Sequence, residues 1–307
     1  MYFGEEQLNI TDNLDFFARQ VVEGFLTGMH KSPYHGFSVE FAEHRAYNSG
    51  DSIKNIDWKL FARSNKLFVK KFEEETNLRS HVLIDISSSM FYPDQEKVNK
   101  ITFSIYAAAC LIYLFRKQRD GFGLTCFSDK LDFFSSAKNT KAHYNRLMSE
   151  LDKLLHNDFP RQNENRKTDF SKIISELIGK IHERSLIIIF SDMMYFDQSY
   201  LDNLFQALQH LRYKKNEVIL FHVQDYEKEN LFQFSNRPYR FVDLENQNEI
   251  KLNPMNYKDT YQTLYAEFQE KIKTQCNQYK IDYIPSFIQE GLSSVLISYL
   301  RKRSKLF

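Results

Sequence analysis

The stretch that most constrains the fold runs from His81 to Met90 and reads H-V-L-I-D-I-S-S-S-M. Its apolar, β-branched beginning is typical of a buried parallel strand, and the small polar residues that follow mark the C-terminal end of that strand. Asp85, Ser87 and Ser89 stand at alternate positions, so an extended chain places their side chains on one face. Open α/β sheets bind their ligands at such strand ends. The stretch therefore predicts a ligand site built from one carboxylate and two hydroxyls.

The chemistry of this site depends on its oxygen ligands. A set without Cys or His suits a hard cation such as Mg²⁺. Two later positions extend the set: Thr168 lies in a polar loop before an apolar-periodic helix, and Asp192 follows a second buried strand at 186–190. A strand end that carries Asp and Ser is more often a turn with a helix N-cap than a metal site. The residue types alone leave the metal site and the cap as two open interpretations.

Strand and helix patterns alternate along most of the chain. Strand patterns occur at 82–84, 121–127, 131–134, 186–190, 218–223 and 281–284. Helical patterns occur at 10–30, 95–119, 142–155, 170–181, 201–213, 257–279 and 286–303. This alternation predicts an α/β protein with a mostly parallel sheet covered by helices on both faces, and 131–134 is expected to be an antiparallel edge strand. A small hairpin is expected at 239–252.

Composition narrows the class of protein. The 307 residues carry a net charge of +1, which gives no support to nucleic-acid binding. The three cysteines are far apart and show neither zinc-site spacing nor a disulfide framework, so a reducing cytosol fits best. The N-terminus has acids where a signal peptide needs bases, and the longest apolar run, 101–115, is shorter than the ~20 residues of a membrane span. We therefore expect a cytoplasmic protein with no membrane span.

The segment from Arg45 to Arg63 differs in residue composition from the rest of the chain. It carries paired Arg and Asp residues and the only tryptophan, which together form a candidate interaction or inter-module network: Arg45, Asp51, Asp57, Trp58 and Arg63. Such residues commonly hold one module on another, and they also serve in direct binding. Both interpretations remain open from the sequence.

The division of the chain follows from the same segment. Residues 1–78 have few apolar-periodic elements, so we expect an N-terminal α+β extension without a sufficient core of its own. It is predicted to pack on a main domain at 79–307, with Trp58 buried in the junction.

These residues resemble a known pattern. In the metal-ion-dependent adhesion site of von Willebrand factor A domains, an Asp and two Ser follow the first strand, a Thr lies on a later loop and an Asp ends the fourth strand. The residues that fill these places here are Asp85, Ser87, Ser89, Thr168 and Asp192. The upstream segment resembles that of bacterial von Willebrand A-like proteins associated with MoxR-type AAA+ ATPases. The residues that carry this second match are Arg45, Tyr47, Gly50, Asp51, Ile56, Asp57, Trp58, Ala62 and Arg63.

The resemblance implies a Rossmann-like, doubly wound von Willebrand A fold. It implies a non-enzymatic, metal-dependent interaction module that binds Mg²⁺, or else Mn²⁺ or Ca²⁺, through those five residues. The implied partner is a MoxR-type AAA+ ATPase, with other von Willebrand A-domain proteins as further candidates, and the implied role is that of an adaptor in complex assembly or stress tolerance.

Catalytic motifs favour the same class. The sequence has no G-x-x-x-x-G-K-[ST], G-x-S-x-G or H-E-x-x-H motif, so neither an ATPase nor a common hydrolase is indicated. The alternative is a metal-dependent hydrolase of the phosphoesterase type that uses the same ion to activate water. That alternative lacks an identifiable general base in the sequence.

Overall fold

The computed structural model describes residues 13–30, 44–46, 58–64, 66–70, 78–93, 98–156, 170–194, 198–244 and 248–304. The chain divides into two compact units: Leu26–Asn77 forms one, and Met1–Phe25 with Leu78–Phe307 forms the other. The division falls within the first helix, α1 (Leu14–His30). The smaller unit contains β1 (His44–Ala46), α2 (Trp58–Ser64) and β2 (Phe68–Lys70), and its two strands pair antiparallel.

The larger unit contains eight strands among the described residues. In chain order they are β3 (Arg79–Asp85), β4 (Gly121–Phe127), β5 (Leu131–Lys138), β6 (Leu186–Ser191), β7 (Glu217–Gln224), β8 (Tyr239–Val242), β9 (Glu249–Leu252) and β10 (Asp282–Phe287). Six of them form one sheet in the order β10-β7-β6-β3-β4-β5, in which only the β4–β5 pairing is antiparallel. The predicted mostly parallel sheet with an antiparallel edge strand is confirmed. The remaining two strands form the predicted hairpin.

The helices of this unit follow the sequence prediction with two corrections. They are α3 (Lys100–Lys117), α4 (Lys141–Leu155), α5 (Phe170–Ile178), α6 (Gln198–Tyr213), α7 (Lys258–Gln278) and α8 (Ser293–Arg303). The start predicted at 95 for α3 is wrong, because Asn99 and Thr102 form a reciprocal capping box that begins the helix at Lys100. The start predicted at 286 for α8 is also wrong, because β10 continues to Phe287 in register with β7.

Helices cover both faces of the sheet. Side chains alternate along β3, so Leu83 lies on one face and its neighbours Val82 and Ile84 lie on the other. The face of Leu83, with Ile187 and Ile189 of β6, packs against α5, α6 and α7 in one buried cluster. Helix α3 contacts β3, β4 and β7, while α4 and α8 pack on α3. The central strands are therefore buried on both sides, which explains their continuous apolar sequence.

The order of the strands fixes where a ligand site can form. After β3 the chain crosses to β4 on one side, whereas β6 lies on the other side of β3. The carboxyl ends of β3 and β6 are therefore adjacent at a topological switch point, the place where open α/β sheets bind ligands. Strand β3 ends at Asp85, and Asp192 directly follows the last residue of β6.

Two further sequence expectations bear on the class of protein. Cys110, Cys126 and Cys276 are buried free thiols, in agreement with the lack of a disulfide framework. Among the described residues, no helix combines the length and apolar character needed to cross a membrane.

Candidate metal site

Asp85 is the last residue of β3 and is fully buried. Its Oδ1 accepts a hydrogen bond from the backbone N–H of Ser87 at 2.9 Å, and its Oδ2 accepts one from the hydroxyl of Ser191 at 2.8 Å. Ile84 pairs in register with Phe190, so Asp85 and Ser191 lie side by side at the ends of their strands. The parallel register thus orients this carboxylate. Ser191 was not identified from the sequence, although it directly precedes Asp192.

Ser87 and Ser89 bring their hydroxyl oxygens within 3.2 Å of each other. The chain is not extended throughout this stretch, because Ser88–Phe91 form a 3₁₀ turn. Strand alternation therefore explains only why Asp85 and Ser87 lie on the same face. The 3₁₀ turn places the Ser89 hydroxyl next to that of Ser87. Ser87 is the N-cap residue of that turn, yet its side chain makes no capping hydrogen bond. This geometry favours a ligand role over the cap interpretation for the Ser87 hydroxyl.

Asp192 follows β6 by one residue and is buried. Its Oδ2 accepts a hydrogen bond from the ammonium of Lys100 at 2.7 Å, and its Oδ1 lies 3.4 Å from the backbone N–H of Met194. The same ammonium donates to Oε1 of Glu229 at 2.7 Å. Sequence reasoning missed both partners. The available signal was Lys100 itself, a cation at the head of a helix that is apolar on nearly all sides, since a buried ammonium requires anionic partners.

His222 lies in β7 in register with Ser191. Its Nε2 donates to the backbone carbonyl of Asp192 at 2.8 Å, and its Nδ1 accepts a hydrogen bond from the hydroxyl of Tyr283 at 2.7 Å. The carbonyl can only accept, so it assigns the proton to Nε2. Burial lowers the pKa of His222 to about 4, and the ring is therefore neutral at physiological pH. These contacts give the imidazole a structural role.

The electrostatics of the site favour a cation beside Asp85. Burial, and after it the repulsion from Asp192, raises the pKa of Asp85 to about 6. Burial also raises the pKa of Glu229. Burial by itself would lower the pKa of Lys100, but the attraction of Asp192 and Glu229 raises it above its ordinary value. Lys100 thus pairs with Asp192 and Glu229, and a divalent ion beside Asp85 would remove the cost of ionising that carboxylate.

The donor set fits a hard divalent cation. Asp85 with the hydroxyls of Ser87 and Ser89 offers oxygen ligands at one point, and oxygen is the donor that Mg²⁺ prefers. Among the described residues there is no cluster of three or more His, Cys, Asp or Glu side chains able to hold a metal. Within the part of the chain that the structure describes, the oxygens of Asp85, Ser87 and Ser89 are the ones that an ion here would use.

Several predicted site residues lie wholly or partly outside the described residues. Thr168, Asp51 and Asp57 are among them, as is the side chain of Trp58, whose backbone begins α2. Arg45 lies in β1, paired with Val69, and Arg63 is an exposed residue of α2. The five metal-ligand assignments and the two interpretations of the Arg45–Arg63 segment remain predictions.

Comparison with solved structures gives low similarity. The conserved hypothetical protein BatB from Bacteroides thetaiotaomicron superposes with a TM-score of 0.46 and 11% identity over 74% of this chain and 99% of that one. A mutant of the PilB minor pilin from Streptococcus sanguinis gives a TM-score of 0.44 and 9% identity over 78% of this chain and 65% of that one.

Sequence comparison finds mycobacterial relatives and a family. The uncharacterized proteins Rv1480 of Mycobacterium tuberculosis (strain ATCC 25618 / H37Rv) and Mb1516 of Mycobacterium bovis are each 27% identical over 101 residues, which is 33% of this chain. The matched region covers 32% of the length of each of these curated relatives, so the chain spans about a third of them. The family model described as "Protein of unknown function DUF58" matches residues 43–272, well over half of the 307, and the chain belongs to this family.

Proposed function

We propose that this protein is a divalent-metal-dependent protein–protein interaction module that acts as an adaptor for a MoxR-type AAA+ ATPase and has no catalysis of its own. One observation carries the proposal: Asp85, Ser87, Ser89 and Asp192 come from two separate stretches of sequence and lie at the adjoining ends of β3 and β6, where a ligand site is expected. The partner is inferred from the resemblance of the Arg45–Arg63 segment to the proteins associated with that ATPase.

The finer fold that we propose is the von Willebrand A version of the doubly wound sheet. The mostly parallel six-stranded sheet, its antiparallel edge strand and the switch point between β3 and β6 are consistent with that fold. In this proposal the ligand set is completed by Thr168, which precedes α5 in the sequence and lies outside the described residues.

The residues of the site have separable tasks. Asp85, held by Ser191 and by the Ser87 N–H, presents its carboxylate in a fixed orientation. Ser87 is buried, whereas Ser89 is half-buried and lies on the accessible side. Mg²⁺ bound here would supply a positive centre with a coordination position for a carboxylate from a partner. A partner that offers an Asp or Glu side chain therefore gains a directional contact at this edge of the sheet.

The hydrolase alternative requires a general base that can take a proton from water. The imidazole beside the site belongs to His222, and both of its ring nitrogens already make hydrogen bonds inside the protein. It supports the backbone at Asp192. This geometry favours binding over hydrolysis.

The experiment is a pull-down of a purified MoxR-type AAA+ ATPase, with and without EDTA. Asp85→Ala and Ser87→Ala should weaken capture, and EDTA should weaken capture by the wild type to a similar level. Glu267→Ala and Arg301→Ala, which remove exposed charges from α7 and α8, should leave capture unchanged. Capture that is indifferent to EDTA and to both site variants would refute the metal-bridged mechanism. Turnover of a generic phosphoester by the wild type with Mg²⁺, abolished by Asp85→Ala, would instead establish the hydrolase.

A further inference from the structure

The buried ammonium of Lys100 is the feature that the proposed function leaves unused. Only 1% of the side chain is exposed, and its nitrogen lies 2.7 Å from Asp192 Oδ2 and 2.7 Å from Glu229 Oε1. Its backbone is fixed as well, because Lys100 is the first residue of α3, follows the Asn99 capping box and donates its N–H to the carbonyl of Tyr92. The ammonium is therefore placed by the fold.

Glu229 is the second anionic partner of this ammonium. It lies in a one-turn π-helix, Tyr226–Asn230, which Asp225 caps by accepting a hydrogen bond from the N–H of Lys228. The second carboxylate oxygen of Glu229 accepts a hydrogen bond from the N–H of Asp225 at 2.8 Å, so the side chain is anchored at both oxygens. Leaving Asp192 would require Lys100 to give up one of two charged partners in a buried site.

We propose that Lys100 sets the metal affinity of the site by holding Asp192 out of the inner coordination shell of the ion. The inference rests on the proposed function, since it concerns the same ion. With Asp192 paired to the ammonium, Asp85 is the one site carboxylate of β3 and β6 that is left to ligate directly. The ion then keeps more of its positive charge, binds weakly by itself and gains affinity when a carboxylate from a partner joins it. Lys100 is a positioning residue in this scheme, and it makes metal binding and partner binding depend on each other.

The test compares Mg²⁺ affinity in three forms of the full chain by titration calorimetry with MgCl₂ alone. Lys100→Met combined with Glu229→Gln removes one positive and one negative charge, so it frees Asp192 and leaves the net charge unchanged. Glu229→Gln alone is the matched control, because it retains the ammonium on Asp192. The double variant should bind Mg²⁺ about 10- to 100-fold more tightly than the control, the range over which outer-shell partners tune a metal site.

Each outcome separates the two proposals. Weak binding by the wild type with tighter binding by the double variant supports both. Binding by the double variant alone supports the role of Lys100 and refutes metal use by the wild type. Equal or weaker binding by the double variant overturns the role of Lys100 and leaves the proposed function intact, whereas no binding by any form overturns both.

A second measurement serves if the double variant does not fold. The hydrogen-bonded ammonium protons of Lys100 should exchange slowly with water and give a ¹H–¹⁵Nζ signal in the wild type. The loss of this signal in Lys100→Arg assigns it. Saturating Mg²⁺ should leave that signal in place, since Asp192 stays on Lys100. Loss of the signal on metal binding would show that Asp192 moves to the ion and would overturn the inference.

Discussion

Replacing Asp85 by Asn should make the metal-free protein more stable while it abolishes metal binding. The physical reason is the pKa of the buried carboxyl, which rises from 3.8 to about 6 on folding. At about 1.4 kcal/mol per pKa unit, the ionised carboxylate costs the fold about 3 kcal/mol. The amide carries no charge and escapes this cost, but it loses part of the hydrogen bonding to Ser87 and Ser191, worth about 1 kcal/mol. A net gain of about 1 to 2 kcal/mol is expected.

The sign of this effect fixes its pH dependence. The folded pKa lies above the unfolded one, so the destabilisation by Asp85 is complete above pH 6 and disappears as the pH falls below 3.8. Urea unfolding of both forms without metal should show the gain of Asp85→Asn near neutral pH and none in acid. For a chain of this size the melting temperature should rise by about 2 to 4 °C for each kcal/mol.

Magnesium supplies the complementary arm of this experiment. A ligand that binds only the folded state raises the melting temperature, so saturating MgCl₂ should stabilise the wild type and leave Asp85→Asn unchanged. A variant that is less stable than the wild type at neutral pH without metal would refute the electrostatic reasoning. Equal stabilisation of both forms by MgCl₂ would refute the assignment of Asp85 as a ligand.

Three further predictions follow from the geometry. Mg²⁺ affinity should fall about fourfold between pH 7.5 and 5.5, because binding requires the ionised form of Asp85, whose pKa is about 6. Calorimetry at the two pH values measures this change, and equal affinities would contradict the prediction. Burial lowers the pKa of His81 to about 3, so the folded state excludes a proton that the unfolded state takes up below its pKa of about 6.5. The contribution of neutral His81 to the free energy of unfolding is therefore fully present above pH 6.5, and about 2 kcal/mol of it should be lost by pH 5. Urea unfolding of His81→Gln should show a smaller loss over the same pH range. Gly123→Ala should lower the free energy of unfolding by about 1 to 3 kcal/mol in the same assay. The reason is that a Cβ at this position would lie 2.5 Å from His81 Nδ1 and 2.6 Å from the carbonyl oxygen of Ser135. An unchanged free energy would show that the sheet can shift to make room for the methyl group.

The sequence was most informative where the pattern is long and periodic. The runs at 186–190 and 218–223 are apolar at nearly every position, which only strands buried on both faces require, and the sheet is built as predicted. Helix starts were predicted less well. The apolar periodicity of α3 extends upstream of its first residue, and the side-chain contact between Asn99 and Thr102 decides where it begins.

The candidate site shows the same limit. Asp85, Ser87 and Asp192 could be found because strand ends carry a local signature. The bond from Ser191 to Asp85 depends on the register between β3 and β6, which no local pattern encodes. The contact of Lys100 with Glu229 joins residues 129 positions apart, and a single sequence gives no means to pair them.

The hydrogen bonding of His222 makes the candidate site observable by NMR without a chemically attached probe. Its ring proton points at the main-chain carbonyl of Asp192, and its other nitrogen is held by Tyr283, so the tautomer cannot change unless one of these contacts breaks. With a pKa of about 4, the ring stays neutral throughout the physiological range, and its resonances are insensitive to small drifts in pH. Selective isotope labelling of the nine histidines would therefore make this imidazole a spectroscopic sensor of movement in the backbone beside the proposed metal site, including any that accompanies docking of a partner.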